Sequence, residues 1–316
     1  MKTTQFHDIE FQYSRELVPL LHRNALMLCL CSQQDRRLLS LAVTAEQIDV
    51  ELCTLPRPAL LAFSGNTAAV SVDSQIQLFR RDALPWCDRP RERAWWWLFP
   101  DRSRFLGPLR PADMHITQSD VWLQSEADGS VMQLPLTESI RPAWNPQDCP
   151  HLNGAQWQGC GMTLDGALPA YAAVSRLRSQ TPGCQLIDLT ANRPLQISAR
   201  QFHSPRLHMH ELWLLDADKP GLFSVNRQTG ATAVHHPLTS QPTAVTFHGT
   251  FALVASRSTT DPQNTLPVIT VLDLRTGLVC GRLQFLRGLS QIDSLALIPE
   301  ISSIAVNSGS AQTAPA

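Results

Sequence analysis

Apolar and polar residues alternate in short runs along most of this chain, and the runs recur. Pro58–Ser71, read Pro-Ala-Leu-Leu-Ala-Phe-Ser-Gly-Asn-Thr-Ala-Ala-Val-Ser, matches Pro242–Ala255, read Pro-Thr-Ala-Val-Thr-Phe-His-Gly-Thr-Phe-Ala-Leu-Val-Ala, almost step for step. Looser copies open at Pro111, His151, Pro205 and Ile292. Alternation with a period of two predicts half-buried β-strands. Recurrence over this length predicts a closed or stacked array of equivalent units.

Each copy opens on a strand, passes a polar turn into a second strand, and then holds room for further strands. In the copy from Pro205 the pattern predicts strands at Leu207–His210, Glu211–Leu215, Leu222–Asn226 and Thr232–His236. The turn Asn226–Gly230 supplies a glycine for the position that needs positive φ. Val271–Gly277 and Cys184–Thr190 read as counterpart hairpin strands. Four short strands per copy make a propeller blade. The expected fold is therefore all-β, a single β-propeller of six blades. Seven blades is the alternative, because Ala83–Arg110 has room for another hairpin. The copy from Ile292 is incomplete, with Ile292–Ile298 and Ser302–Val306 its only strand-like runs. Leu26–Ser32 and Leu38–Val43, paired around Gln33–Arg37, are expected to complete it. That closure places strands from both ends of the chain in one blade and removes exposed sheet edges.

The organisation that follows is a 1–25 N-terminal segment with a short helix, a 26–306 propeller, and a 307–316 flexible tail. The helix is predicted at Ser14–Arg23, with Ser14 as its cap and Leu17, Leu20 and Leu21 on one face. No Gly/Ser-rich linker divides the propeller, so a single domain is expected.

Composition narrows the partners. A net charge of −1 gives no general field for nucleic acid, and no apolar run reaches membrane-spanning length. Lysine occurs only at Lys2 and Lys219, and arginine supplies the rest of the basic charge. The eight cysteines are Cys29, Cys31, Cys53, Cys87, Cys149, Cys160, Cys184 and Cys280, with no CxxC pair and no signal-peptide pattern before them. Reduced thiols in a cytoplasmic protein are the expectation. Trp95, Trp96 and Trp97 are consecutive, so they cannot all face one side of a strand. They read either as packing between blades or as a contact surface for a small molecule or a protein partner.

The candidate chemistry lies at the openings of the copies. In a propeller the innermost strand of each blade runs along the central channel, and its first residues sit near one mouth. Arg57, Asp113, His151, Asn153, His203, Ser204, Arg206, Thr243 and Asp293 are the polar residues there. Convergence from several blades would build a ligand-binding site from these residues. His151, His203, Asp113 and Asp293 are candidate ligands of a divalent cation, and Arg206 and Arg57 suit a carboxylate or phosphate. The plain alternatives are histidines bonded to loop carbonyls, an Asn153-Gly154 turn, an Arg206 paired with a carboxylate, and aspartates capping turns. Adjacent strand residues face opposite ways, so no Ser204–His203 dyad is expected. Neither GxSxG, HExxH nor a Gly-rich phosphate loop occurs.

The segments Cys149-Pro-His-Leu-Asn-Gly154, Phe202-His-Ser-Pro-Arg206, Glu211-Leu-Trp-Leu-Leu215 and Val271-Leu-Asp-Leu-Arg-Thr-Gly277 occur in this order. Together they resemble a mostly bacterial family of uncharacterised conserved hypothetical proteins, classed as a domain of unknown function. The resemblance covers roughly Leu26 to Pro299 and implies a propeller without an assigned activity. It also implies a histidine before the acid in the third blade's opening strand. That pair falls on Ala112-Asp113 here, so the acid is kept and the histidine lost, unless His115 replaces it through a shifted register. The chain thus reads as a divergent member.

Two functions remain open at this point. One is a propeller scaffold or small-ligand-binding protein that uses the channel mouth. The other is a metal-assisted, lactonase-like hydrolase or an accessory biosynthetic enzyme acting on a small polar substrate in the same channel, a reading by fold-level analogy.

Overall fold

The structure, a computed structural model, describes residues 1–6, 8–24, 26–43, 48–82, 97–177, 183–257 and 266–299. Six antiparallel sheets radiate around an axis. Their innermost strands are Ser294–Pro299 (blade 1), Pro58–Ser64 (blade 2), Pro111–Ile116 (blade 3), Trp157–Asp165 (blade 4), Phe202–His208 (blade 5) and Gln241–His248 (blade 6). Each touches the next around the ring. The six-bladed propeller expected from the repeat is therefore what forms. The stretch proposed to hide a seventh blade ends instead in Trp97–Phe105, the outer strand of blade 2. Residues 83–96 lie outside the described residues.

The second strand of each blade is apolar on both sides because both faces of the sheet pack against neighbouring blades. Leu212, Leu214 and Leu215 are fully buried in blade 5, as are Ala252, Leu253, Val254 and Ala255 in blade 6. Each buried leucine contributes roughly 1.5–3 kcal/mol by leaving water. Alanines recur there, at Ala68, Ala69, Ala172, Ala173, Ala252 and Ala255. Near the axis the blades converge, and small side chains let them do so.

Closure follows the expected plan. The inner strand Ser294–Pro299 pairs with Leu26–Ser32, Leu295 facing Leu30. Arg37–Val43 and Ile48–Thr54 complete that blade. A run at Ser302–Val306 was also expected in it; that run lies outside the described residues. The turn at Gln33–Asp35 ties the last loop down: Gln33 N–H donates to Asp293 Oδ2 at 2.7 Å, and Asp35 accepts from Ser290 N at 2.8 Å.

The N-terminal segment does more than expected. Lys2–Phe6 and Ile9–Tyr13 form a hairpin that extends blade 6 to six strands. Ile9, Phe11 and Tyr13 alternate into the core, and Phe11 meets Phe285 at 5.9 Å. The helix spans Leu17–Arg23, and Glu16 rather than Ser14 precedes it, with no side-chain cap. Ser14 Oγ instead accepts from Arg282 N at 3.1 Å, which anchors the segment to the sheet. The seven described cysteines are free thiols, and Cys29 and Cys31 share one buried cluster, as strand alternation requires. Cys87 lies outside the described residues.

Candidate functional site

A cavity of about 740 Å³ runs along the propeller axis, lined by the six inner strands. The free edge of each inner strand offers backbone groups with no further strand to pair them, and side chains from neighbouring strands take several of them. Ser294 Oγ accepts from Leu61 N at 3.1 Å, and Thr163 Oγ1 from Leu207 N at 3.0 Å. Thr243 Oγ1 donates to Ile292 O at 2.8 Å. His208 Nε2 bonds Gly249 O at 2.7 Å. These contacts stitch blade 1 to 2, blade 4 to 5, blade 5 to 6 and blade 6 back to 1.

A register shift interrupts five of the six inner strands, blade 1 being the exception. It falls between Pro58 and Leu61, Pro111 and Asp113, Gly159 and Gly161, His203 and Arg206, and Pro242 and Ala244. A bulge re-aims side chains, and here it turns the openings of the copies toward the axis.

Asp113, in the bulge of blade 3, is the hub of the site. Its carboxylate accepts from Arg206 Nη1 at 2.6 Å and Nη2 at 3.0 Å, a two-armed pair between blades 3 and 5. It also accepts from Met162 N in blade 4 and from Met114 N, both at 2.9 Å. Arg206 Nη1 donates further to the carbonyls of Met162 and Pro205. Burial alone would raise the Asp113 carboxyl. The Arg206 charge, the nearby His115 ring and the bonds from Arg206 more than offset this, holding it well below the usual carboxylate range. His115 Nε2 lies 3.8 Å from Asp113 Oδ2 and bonds Met162 O at 2.8 Å. His115 thus stands beside the acid.

His203 and Ser204 occupy the bulge of blade 5. Adjacent strand residues were expected to diverge; the structure overturns that. Ser204 has a φ of 52°, and its hydroxyl lies 2.9 Å from His203 Nδ1. Burial pushes the imidazole down to about 4, opposed by a bond to the Pro242 backbone and by the Asp113 charge, and aided by the Arg206 charge. The ring is therefore neutral at physiological pH. Asp293, at the same mouth, is raised by burial despite its bond from Gln33 N.

Of the residues singled out in the sequence, Asp113, His203, Ser204, Arg206, Thr243 and Asp293 line the cavity. His151, Asn153 and Arg57 do not. The Cys149–Gly154 segment is a connector of two 3₁₀ turns, Pro146–Asp148 and Pro150–Leu152, and the inner strand starts only at Trp157. Cys149 is fully buried, Trp157 Nε1 bonds Leu152 O at 2.8 Å, and His151 and Asn153 are left exposed. Arg57 is exposed beside Asp73, 4.0 Å away. Among the described residues no three His, Cys, Asp or Glu side chains gather as a metal site. Trp95 and Trp96 lie outside the described residues, and Trp97 opens the outer strand of blade 2.

Two residues escaped the sequence reading, while His115 entered it only as a replacement for the histidine missing before Asp113. Gln124, fully buried, accepts from Gly161 N at 2.6 Å and donates to Ala173 O at 3.0 Å. Gly161, with a φ of 122°, lies against Ser204: a Cβ there would sit 2.8 Å from Ser204 N. Gly159-Cys160-Gly161 in a strand hints at close backbone approach.

The fold and channel define a six-bladed β-propeller with a polar axial cavity. The chain belongs to a family described as a domain of unknown function (DUF4915), whose model matches residues 15–306. No curated protein matches it. Among solved structures it is similar to one from a nidogen/laminin complex, with 9% identity and a TM-score of 0.58 over 87% of this chain and 99% of that one. TolB from Acinetobacter baumannii aligns with 12% identity and a TM-score of 0.52, over 86% of this chain and 66% of that one. A candidate 6-phosphogluconolactonase from Bacteroides fragilis aligns with 12% identity and a TM-score of 0.52, over 87% of this chain and 98% of that one. At such identities the likeness extends to the fold alone.

Proposed function

We propose that this propeller binds a small, uncharged, polyhydroxylated molecule in its axial channel. The observation that carries the reading is the state of Arg206, whose charge is neutralised inside the protein by Asp113. An arginine so engaged has little to offer an anion, and the carboxylates of Asp293 and Glu126 also line the cavity. What faces a ligand is then a set of hydrogen-bonding groups: the Ser204 hydroxyl, the neutral His203 imidazole and Thr243. Such groups match the hydroxyls of a sugar or polyol better than a phosphate or carboxylate. The test is thermal stabilisation of the purified protein by a panel of neutral sugars and polyols, set beside the corresponding sugar phosphates and sugar acids. Saturable stabilisation by members of the neutral set supports the reading. Stabilisation confined to the anionic set, or none by any neutral compound, overturns it.

A further inference from the structure

Ser204 and His203 form an arrangement that ligand binding does not require. The bulge of blade 5 gives Ser204 a left-handed backbone, φ 52°, which is costly for a residue with a side chain. The surroundings enforce it. Gly161 of blade 4 leaves the space that Ser204 and Pro205 occupy, and Gln124 holds the Gly161 N–H in place. The result aims the Ser204 hydroxyl at His203 Nδ1, 2.9 Å away, at the wall of the cavity.

His203 Nδ1 lies 2.9 Å from the Ser204 hydroxyl, and the buried ring is neutral. In the tautomer with its proton on Nε2, Nδ1 is free to accept the Ser204 proton. A hydroxyl with a base in hydrogen-bond reach is the core of an activated nucleophile.

We propose that Ser204 is a nucleophile with His203 as its general base, and that the channel hydrolyses small carboxylic esters through an acyl-Ser204 intermediate. Ser204 Oγ attacks the acyl carbon as its proton passes to His203 Nδ1. The ester C–O bond breaks, and the leaving alkoxide takes that proton. Water then attacks the acyl-Ser204 ester and gives a proton to Nδ1. The Ser204 Oγ leaves and recovers the proton, so water is the sole co-reactant.

This inference rests on the channel being open to small molecules, as in the ligand reading, but its test reads a covalent bond. Folded protein is treated with diisopropyl fluorophosphate, and the adduct is located by peptide mass spectrometry. One adduct at Ser204, absent in Ser204→Ala and formed about 10²-fold more slowly in His203→Asn, is expected. Asn keeps a hydrogen-bonding group near Nδ1 and lacks its basicity; His203→Gln serves if that variant melts early. Where neither folds, wild-type labelling decides, by comparison with free N-acetylserine amide. An unlabelled Ser204, a rate no greater than that of the free amide, or equal labelling without His203 overturns the proposal. Labelling without polyol stabilisation would sink the ligand class and keep the nucleophile. Polyol stabilisation without labelling would do the reverse.

Discussion

Arg206 of blade 5 crosses blade 4 to grip Asp113 of blade 3 through both terminal nitrogens, at 2.6 and 3.0 Å. Three successive blades are thereby tied by one ion pair, because Met162 of the intervening blade donates to the same carboxylate. Asp113 is almost wholly buried. Removing one member of a buried pair leaves the other charge uncompensated and typically costs 3–5 kcal/mol.

Arg206→Ala is therefore expected to lower unfolding stability by about 3–5 kcal/mol, read as a shift in the urea midpoint. Combining Arg206→Met with Asp113→Asn should cost clearly less than the two single changes summed, since no unpaired charge then remains. Additive losses would show that the two side chains do not depend on each other.

The same pair predicts an acid dependence. The folded-state pKa of Asp113 lies below that of the unfolded chain. Its stabilising effect is then complete above the unfolded value of about 4 and is lost as pH falls through the folded value. Wild type and Asp113→Asn should differ most near neutral pH, and the gap should narrow as the solution is taken well below pH 4. A gap that stays constant across that range would contradict the ion pair.

Phe11→Ala tests the N-terminal hairpin. Phe11 is fully buried and packs on Phe285 of the blade it extends. A core phenylalanine truncated to alanine costs about 3–5 kcal/mol. Calorimetry should show that loss in a single transition; a near-neutral change would mean that the hairpin contributes little to blade 6.

The repeat made the propeller legible because each blade buries the same apolar second strand, and Glu211–Leu215 foretold Glu211–Asp216 almost to the residue; Leu207–His210 caught only the end of the inner strand Phe202–His208 and placed the turn residues Met209 and His210 in a strand. The Ile9, Phe11, Tyr13 alternation was equally readable, but two short polar-flanked strands carry little weight without the sheet they join. Asp113, His203, Ser204 and Arg206 were found through their phase in the copies. His151 was misplaced because Pro146 and Pro150 fold its segment into 3₁₀ turns before the strand begins. The bulges were hidden from any period-two reading, since an inserted residue changes which face a side chain takes. That is why the Ser204–His203 contact was not expected.

Gly161→Ala should dismantle that contact. Its φ of 122° excludes a side chain, and the new Cβ would lie 2.8 Å from Ser204 N and 2.9 Å from Pro205 Cδ. Backbone on both blades would have to move, at a cost of about 2 kcal/mol or more. Reactivity of Ser204 should fall with it. Alanine at Gly166, whose Cβ would meet nothing within 4 Å although its φ of 64° is also strained, separates the strain from the clash.

His203 gives the last prediction. Its folded-state pKa is about 4, against about 6.5 in an unfolded chain. Below pH 6.5 the unfolded state takes up a proton that the folded state refuses, because the charged ring would lie buried in the channel wall. Arg206 opposes that proton, while Asp113 and the Pro242 carbonyl favour it, and burial outweighs both. Stability is thus complete above about pH 6.5 and declines as pH falls toward 4, with a limit of about 3 kcal/mol. His236 is lowered by burial as well and adds to a decline in the same window. His203→Asn should lack only the His203 part, so the difference between the wild-type and His203→Asn urea midpoints between pH 7 and 4.5 reads His203. A wild-type curve parallel to that of His203→Asn across this window would show that the imidazole is solvated and titrates freely. It would then also be no desolvated base for Ser204.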